Sequence, residues 1–193
     1  MMSRVASTAS IRPVWRRFRH NRRGSAAVEF ALVAPVFFAL LFAILETGII
    51  FFADQTLESI TQAAARTILT GQTQSASYTQ QQFHDDVVCP SGGMASILFS
   101  CSPTGIYIDV RSYPSSFSNI SINSEIVGGV FNSGDMQYNP GTSCNVVVVR
   151  LFYQWPQIVT GLGYNITNLN NGTRLLVATA AFRNEPWSGP CTS

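Results

Sequence analysis

The chain has 193 residues and a formal net charge of +2, with 11% charged residues against 46% hydrophobic ones. The positive excess is concentrated at one end: seven arginines precede residue 24, whereas from Ser25 onward five arginines face ten acids. A basic cluster confined to the start reads as a leader, so the sequence pI near 8.4 is no sign of nucleic-acid binding.

The leader contains Arg4, Arg12, Arg16, Arg17, Arg19, Arg22 and Arg23. Behind it, Gly24-Ser25-Ala26-Ala27-Val28-Glu29-Phe30 opens an apolar run, Phe30–Ala53, in which Glu46 is the one formal charge. A helix crosses a bilayer with roughly 20 mostly apolar residues, so this run is read as a membrane span over about residues 30–53. The run is too long for the core of a cleaved secretory signal, and no small-x-small site follows it before Asp54-Gln55. The arginine pairs Arg16-Arg17 and Arg22-Arg23 fit a twin-arginine export signal no better, since that too ends in a small-residue site. An uncleaved signal anchor stays open at this point. The first arginine beyond the run is Arg66, so the positive-inside rule puts residues 1–24 in the cytoplasm and the remainder outside.

Two acids lie in expensive places. An ionised carboxylate in hydrocarbon costs about 2.5–3.5 kcal/mol on insertion scales, so Glu29 at the mouth of the span and Glu46 inside it both ask for a partner. For Glu46 the expectation is contact with a neighbouring helix, which Gly48 would allow to approach closely. The alternative is a protonated or interface-directed side chain. Pro35 should kink or open the helix locally.

Past the span, Leu57, Ile60, Ala64 and Ile68 share a helical face, and Gly71 is a stop signal, so one helix is expected over residues 25–71. Gln72–Gln82 is polar and reads as a connector or a solvated helix start, and Gln80–Val88 as a short helix. Ile106–Arg111 alternates, and Cys144–Tyr153 carries a β-branched run typical of a buried strand. Arg174–Phe182 is a further strand, with turn chemistry at Gly161, Gly163 and Asn170-Asn171-Gly172 between the last two. The expected class is α+β: a long N-terminal helix, half in the membrane, followed by a small antiparallel sheet over residues 72–193.

The four cysteines, Cys89, Cys101, Cys144 and Cys191, all follow the span, and an even number in an exported domain implies disulfides. Of three pairings, Cys89–Cys101 is favoured because it closes a short loop containing Pro90, Gly92 and Gly93. The other pair would then join the last two strands, and aligning Cys144 with Cys191 places Arg150 opposite Glu185. No Cys-x-x-Cys is present and His84 is the one histidine outside the leader, so no metal site is expected.

No nucleophile elbow, phosphate loop or dinucleotide fingerprint occurs, and Gly161-Leu162-Gly163 lacks the third glycine. His84-Asp85-Asp86 is the single acid–base cluster. A hydrolase built on it is a weak reading, because adjacent helical residues diverge and no motif supplies a nucleophile. Neither catalytic nor cofactor-binding residues are expected.

The junction resembles a type IVb prepilin signal, in which a basic leader ends at a glycine and the mature chain carries glutamate fifth and an aromatic sixth. More widely, Gly24-Ser25-Ala26-Ala27-Val28-Glu29-Phe30-Ala31-Leu32-Val33-Ala34-Pro35, Glu46-Thr47-Gly48 and Ala63-Ala64-Ala65-Arg66 resemble the TadE-like family of pilus-assembly pseudopilins. The closing Ala181-Phe182-Arg183-Asn184-Glu185-Pro186-Trp187 is similar to the tail such proteins carry. The resemblance implies a minor pilin-like subunit of a tight-adherence (Flp) pilus, cut between Gly24 and Ser25 by a prepilin peptidase. It implies an inner-membrane location with a periplasmic C-terminal domain, and contacts with other pilin subunits and the assembly platform. Cleavage would create an amine at Ser25, four residues from Glu29 on one helical face and able to pair with it. Phe30 completes the Glu-Phe pair. The rival reading is a signal-anchored periplasmic binding or sensing module with an uncleaved N-terminus.

Overall fold

The computed structural model describes residues 24–191, apart from residues 103, 115 and 160–163. The arginine-rich leader and the turn glycines Gly161 and Gly163 lie outside the described residues. The chain is α+β. Helix α1, Ser25–Leu69, has 45 residues and is about 68 Å long at 1.5 Å per residue. It runs unbroken through Pro35. The chain divides into two compact units between Phe42 and Ala43.

In the first unit α1 has no buried face. Val28, Phe30, Leu32, Val33, Phe37 and Leu40 are each more than half exposed. A helix that is apolar all round belongs in a membrane or a large core, and α1 alone among the described helices is long and apolar enough to cross a bilayer.

In the second unit the helix becomes one-sided. Ile50, Ala53, Leu57, Ala64 and Ile68 are buried at spacings of three, four and seven, as one helical face requires. Thr56 and Thr61 sit on the same buried side, and their hydroxyls donate to the carbonyls of Phe52 and Leu57, so neither is left unsatisfied. Short helices follow: α2 (Gln72–Ser75), α3 (Gln80–Phe83), which passes into a π-turn at His84–Val88, and α4 (Met94–Leu98). Thr79 and Gln82 form a reciprocal capping box that starts α3. The disulfide Cys89–Cys101 clips the α4 segment, in the pairing expected from loop length.

Strands β1 (Ile106–Tyr113), β2 (Ile126–Val127), β3 (Val130–Phe131), β4 (Val146–Pro156) and β5 (Thr173–Arg183) form two antiparallel sheets. The larger has the order β1-β4-β5. Its α1-side core joins Ile108, Val147, Val149, Leu151, Leu176 and Ala178 to Leu57, Ala64 and Ile68. The opposite face of β4 is covered as well, by a smaller cluster of Phe152, Leu169 and Leu175 with Ile126 and Phe131 of the β2–β3 hairpin. Burial on both faces is why β4 opens on four successive valines, Val146–Val149, rather than on an alternating pattern.

Under that cover lies a closed charge network. Arg150 donates from Nε and Nη2 to Asp109 Oδ2 at 3.0 and 2.6 Å, and from Nη2 to Glu125 Oε1 at 2.6 Å. Arg111 Nε and the backbone N–H of Gln137 also reach Asp109, and Arg150 donates to the Asn123 carbonyl. Asp109, Arg150 and Glu125 are 0, 4 and 6% exposed, so these charges are removed from water and satisfied by one another. They rivet the 121–137 segment to the back of the sheet.

The last two strands are antiparallel, and Cys144 does bond Cys191. The expected register is corrected by six residues: Arg150 faces Thr179 across the ladder, not Glu185. The reason is that neither cysteine belongs to the ladder. Cys144 precedes β4 with φ +68°, and Cys191 lies in the tail beyond β5.

That tail closes the end of α1. The Glu185 N–H donates to the Leu69 carbonyl, one of the acceptors a helix end leaves open. Asn184, 2% exposed, donates to the carbonyls of Pro140 and Thr142. Gly71 turns the chain with φ +77°, and a Cβ there would come 2.8 Å from the Trp187 indole. Gly71→Ala is expected to cost about 1–3 kcal/mol, read as a lowered urea midpoint of the detergent-solubilised protein. Adding Trp187→Ala should return only the part due to the clash.

Candidate functional site

At the N-terminal end, Gly24 forms a short turn directly before the first residue of α1, and it is exposed. A Cβ at Gly24 would meet nothing within 4 Å. Ser25 begins the regular helix, so Ser25 and Glu29 stand one helical turn apart on one face. Glu29 is exposed, and Phe30 is 68% exposed beside it. The structure thus brings Gly24, Ser25, Glu29 and Phe30 together within two turns, without covering Gly24, Glu29 or Phe30.

Glu46 has a different setting. It is 4% exposed and is the first buried position along α1. Its Oε1 accepts the backbone N–H of Ile158 at 2.6 Å, and its Oε2 accepts that of Val159 at 2.9 Å. Charge-assisted bonds of this kind are stronger than neutral ones. Next to it, the Thr47 hydroxyl meets the Tyr164 hydroxyl at 2.6 Å and donates to the Ala43 carbonyl. Gln157 Nε2 donates to the carbonyls of Val159 and Tyr164. Among the described residues, then, Glu46 is partnered by Ile158 and Val159 just after β4, more than a hundred residues away in sequence. Gly48 lies two residues on and so about 200° round the helix. It is exposed, with nothing within 4 Å of a Cβ placed there. Glu46 and Gly48 therefore do not share a face. Sequence reasoning missed Ile158 and Val159 because their backbone N–H groups, not any side-chain motif, do the binding.

His84 and Asp85 do meet, at 2.8 Å between Nδ1 and Oδ1. The hydrogen bonds from His84 and Gln81 hold the exposed Asp85 carboxyl below its usual range. His84 is 6% exposed, and its Nε2 is enclosed without a hydrogen-bond partner among the described residues. His84 borders the same cleft as Ser133, but no hydrogen bond links the two among the described residues. Among those residues no group of three His, Cys, Asp or Glu side chains is placed to hold a metal.

Comparison with known proteins returns one family: the family model described as TadE-like protein matches residues 24–66. The match starts at the junction glycine and covers most of α1, including Glu29, Glu46 and Gly48. No curated protein and no solved structure matched the chain. Residues 24–66 thus match the TadE-like family, which points to involvement in the tight-adherence (Tad) pilus system.

Proposed function

We propose that this chain is a minor pilin-like subunit, a pseudopilin, that helps initiate or assemble a tight-adherence pilus. The observation that carries the reading is the start of the TadE-like match at Gly24, directly before a helix whose first turns hold Glu29 and Phe30. Residues 1–24 form a cytoplasmic leader that a membrane prepilin peptidase removes. The anchor lies in the inner membrane, and residues 72–193 form a periplasmic domain consistent with two disulfides. The new amine at Ser25 pairs with Glu29, in the same chain or across to a neighbour, and sets the register between subunits. The exposed apolar side chains of α1 supply anchoring and lateral packing, with Gly48 open to close approach by another helix. Other pilin-like subunits and the assembly platform are the partners.

The test is the intact mass and N-terminal sequence of membrane-extracted protein, with and without a co-expressed prepilin peptidase. The expected result is a peptidase-dependent chain starting at Ser25. A chain still beginning at Met1 or Met2 beside an active peptidase would leave a signal-anchored periplasmic module instead.

A further inference from the structure

Glu46 marks a level on α1 where the surroundings of the helix change. Twenty residues, 26–45, precede it without a single buried position, and at 1.5 Å each they rise about 30 Å. That is the thickness of a hydrocarbon core. Beyond Glu46 one face is buried against the sheet domain at Ile50, Ala53 and Leu57. On the reading of α1 as a membrane anchor, the outer lipid boundary falls at Glu46 itself, nearer the N-terminus than the end at Ala53 expected from composition.

The segment after β4 is tied to that same level by the Glu46 carboxylate and by the Thr47–Tyr164 pair. Its Ile158 side chain is apolar and uncovered, 74% exposed. On the helix beside this level, Ile44, Leu45 and Ile49 are 69, 52 and 47% exposed. An isolated exposed isoleucine needs no explanation. One pinned by a buried carboxylate next to the end of a bilayer-length apolar helix has a specific neighbour at hand.

We propose that residues 157–159, directly after β4, make a second membrane contact, in which Ile158 enters the outer headgroup–acyl boundary while Glu46 holds it at that depth. Lipid is the occupant because Glu46 holds Ile158 at the level of the exposed apolar side chains Ile44, Leu45 and Ile49 on α1. Glu46 acts here as a positioning residue. Its carboxylate saturates two backbone N–H groups that would otherwise be brought to the edge of hydrocarbon, where unsatisfied donors are expensive.

The experiment uses the full-length chain in nanodiscs of phosphatidylethanolamine and phosphatidylglycerol. An environment-sensitive fluorophore is placed on Ile158→Cys, on Phe38→Cys as an anchor control, and on Ser124→Cys as an outer-domain control. Lipids bearing a nitroxide either near the headgroup or near the acyl terminus serve as quenchers. The expected result is blue-shifted emission at 158 with severalfold stronger quenching by the shallow nitroxide, the reverse depth preference at 38, and little quenching at 124. Adding Glu46→Leu should bring the signal at 158 towards that at 124. Water-like, unquenched emission at 158 with normal quenching at 38 would overturn the loop contact while leaving the anchor intact. Absence of quenching at both positions would overturn the anchor reading along with it. Unchanged quenching at 158 in the Glu46→Leu chain would remove Glu46 from its positioning role.

Discussion

Arg150→Leu is expected to lower the unfolding free energy by about 3–5 kcal/mol, the range found when one partner of a buried ion pair is removed. The arginine makes bonds of 2.6 Å to both Asp109 and Glu125, and both carboxylates are at least 94% buried. Without it, Glu125 loses its charged partner and Asp109 keeps only Arg111 and the Gln137 N–H. The substitution also removes the cation over the Phe152 ring, 5.2 Å from its centroid, where guanidinium and aromatic face attract. Loss is expected on the back of the sheet first, because Arg150 holds the Asn123 carbonyl and Glu125 there. Urea unfolding of the detergent-solubilised chain gives the magnitude, and amide exchange over residues 121–137 gives the location. A control separates charge from shape: Arg150→Leu combined with Asp109→Leu and Glu125→Leu should recover much of the loss, since well-packed apolar replacements of a buried network are often neutral. A midpoint of the single variant close to that of the parent would mean that the network contributes nothing net.

The contrast between Arg150 and the rest of β4 explains what was legible in the sequence. The course of the strand follows from a β-branched run that can only be buried, and Leu57, Ala64 and Ile68 follow from helical spacing. These are local periodicities, and both appear where expected. Cys89–Cys101 is also local, a clip across twelve residues. The partner of Arg150 is not local. Anchoring the register on Cys144 and Cys191 misplaced it because both cysteines lie outside the ladder, Cys144 in a turn and Cys191 in the tail, where the count of two residues per pleat no longer holds. The true partners come from β1 and from a loop just before β2, and nothing in the polar 114–144 stretch announces that it folds over the sheet. Glu46 fails for the same reason. Its position within an apolar run shows that it needs partners, but backbone N–H groups of residues 158 and 159 carry no signature by which a sequence could name them. Gly71 was legible as a stop, whereas the indole that crowds its Cα comes from the tail.

Glu29→Ala is expected to abolish pilus assembly while leaving both cleavage after Gly24 and the stability of the outer domain unchanged. Stability should be preserved because the folded unit begins at Ala43, and exposed substitutions away from packed sites usually stay within about 0.5 kcal/mol. Membrane insertion should if anything improve, since an acid at the mouth of the span opposes it by about 2.5–3.5 kcal/mol when fully within hydrocarbon. On the proposed function, what the substitution removes is the counter-charge for the amine that cleavage after Gly24 would create at Ser25. That amine has a reference pKa of about 7.7–8.0, so it is largely protonated at neutral pH and able to pair with a carboxylate one turn away. Glu29→Gln, which keeps size and hydrogen bonding but not charge, should fail as the alanine variant does. The readout is the number of surface filaments in cells where mass spectrometry shows the chain cut at Ser25. Normal filament numbers in the glutamine variant would show that charge pairing is not what aligns the helix. Normal numbers in the alanine variant as well would remove Glu29 from assembly altogether and leave the junction as a processing signal alone.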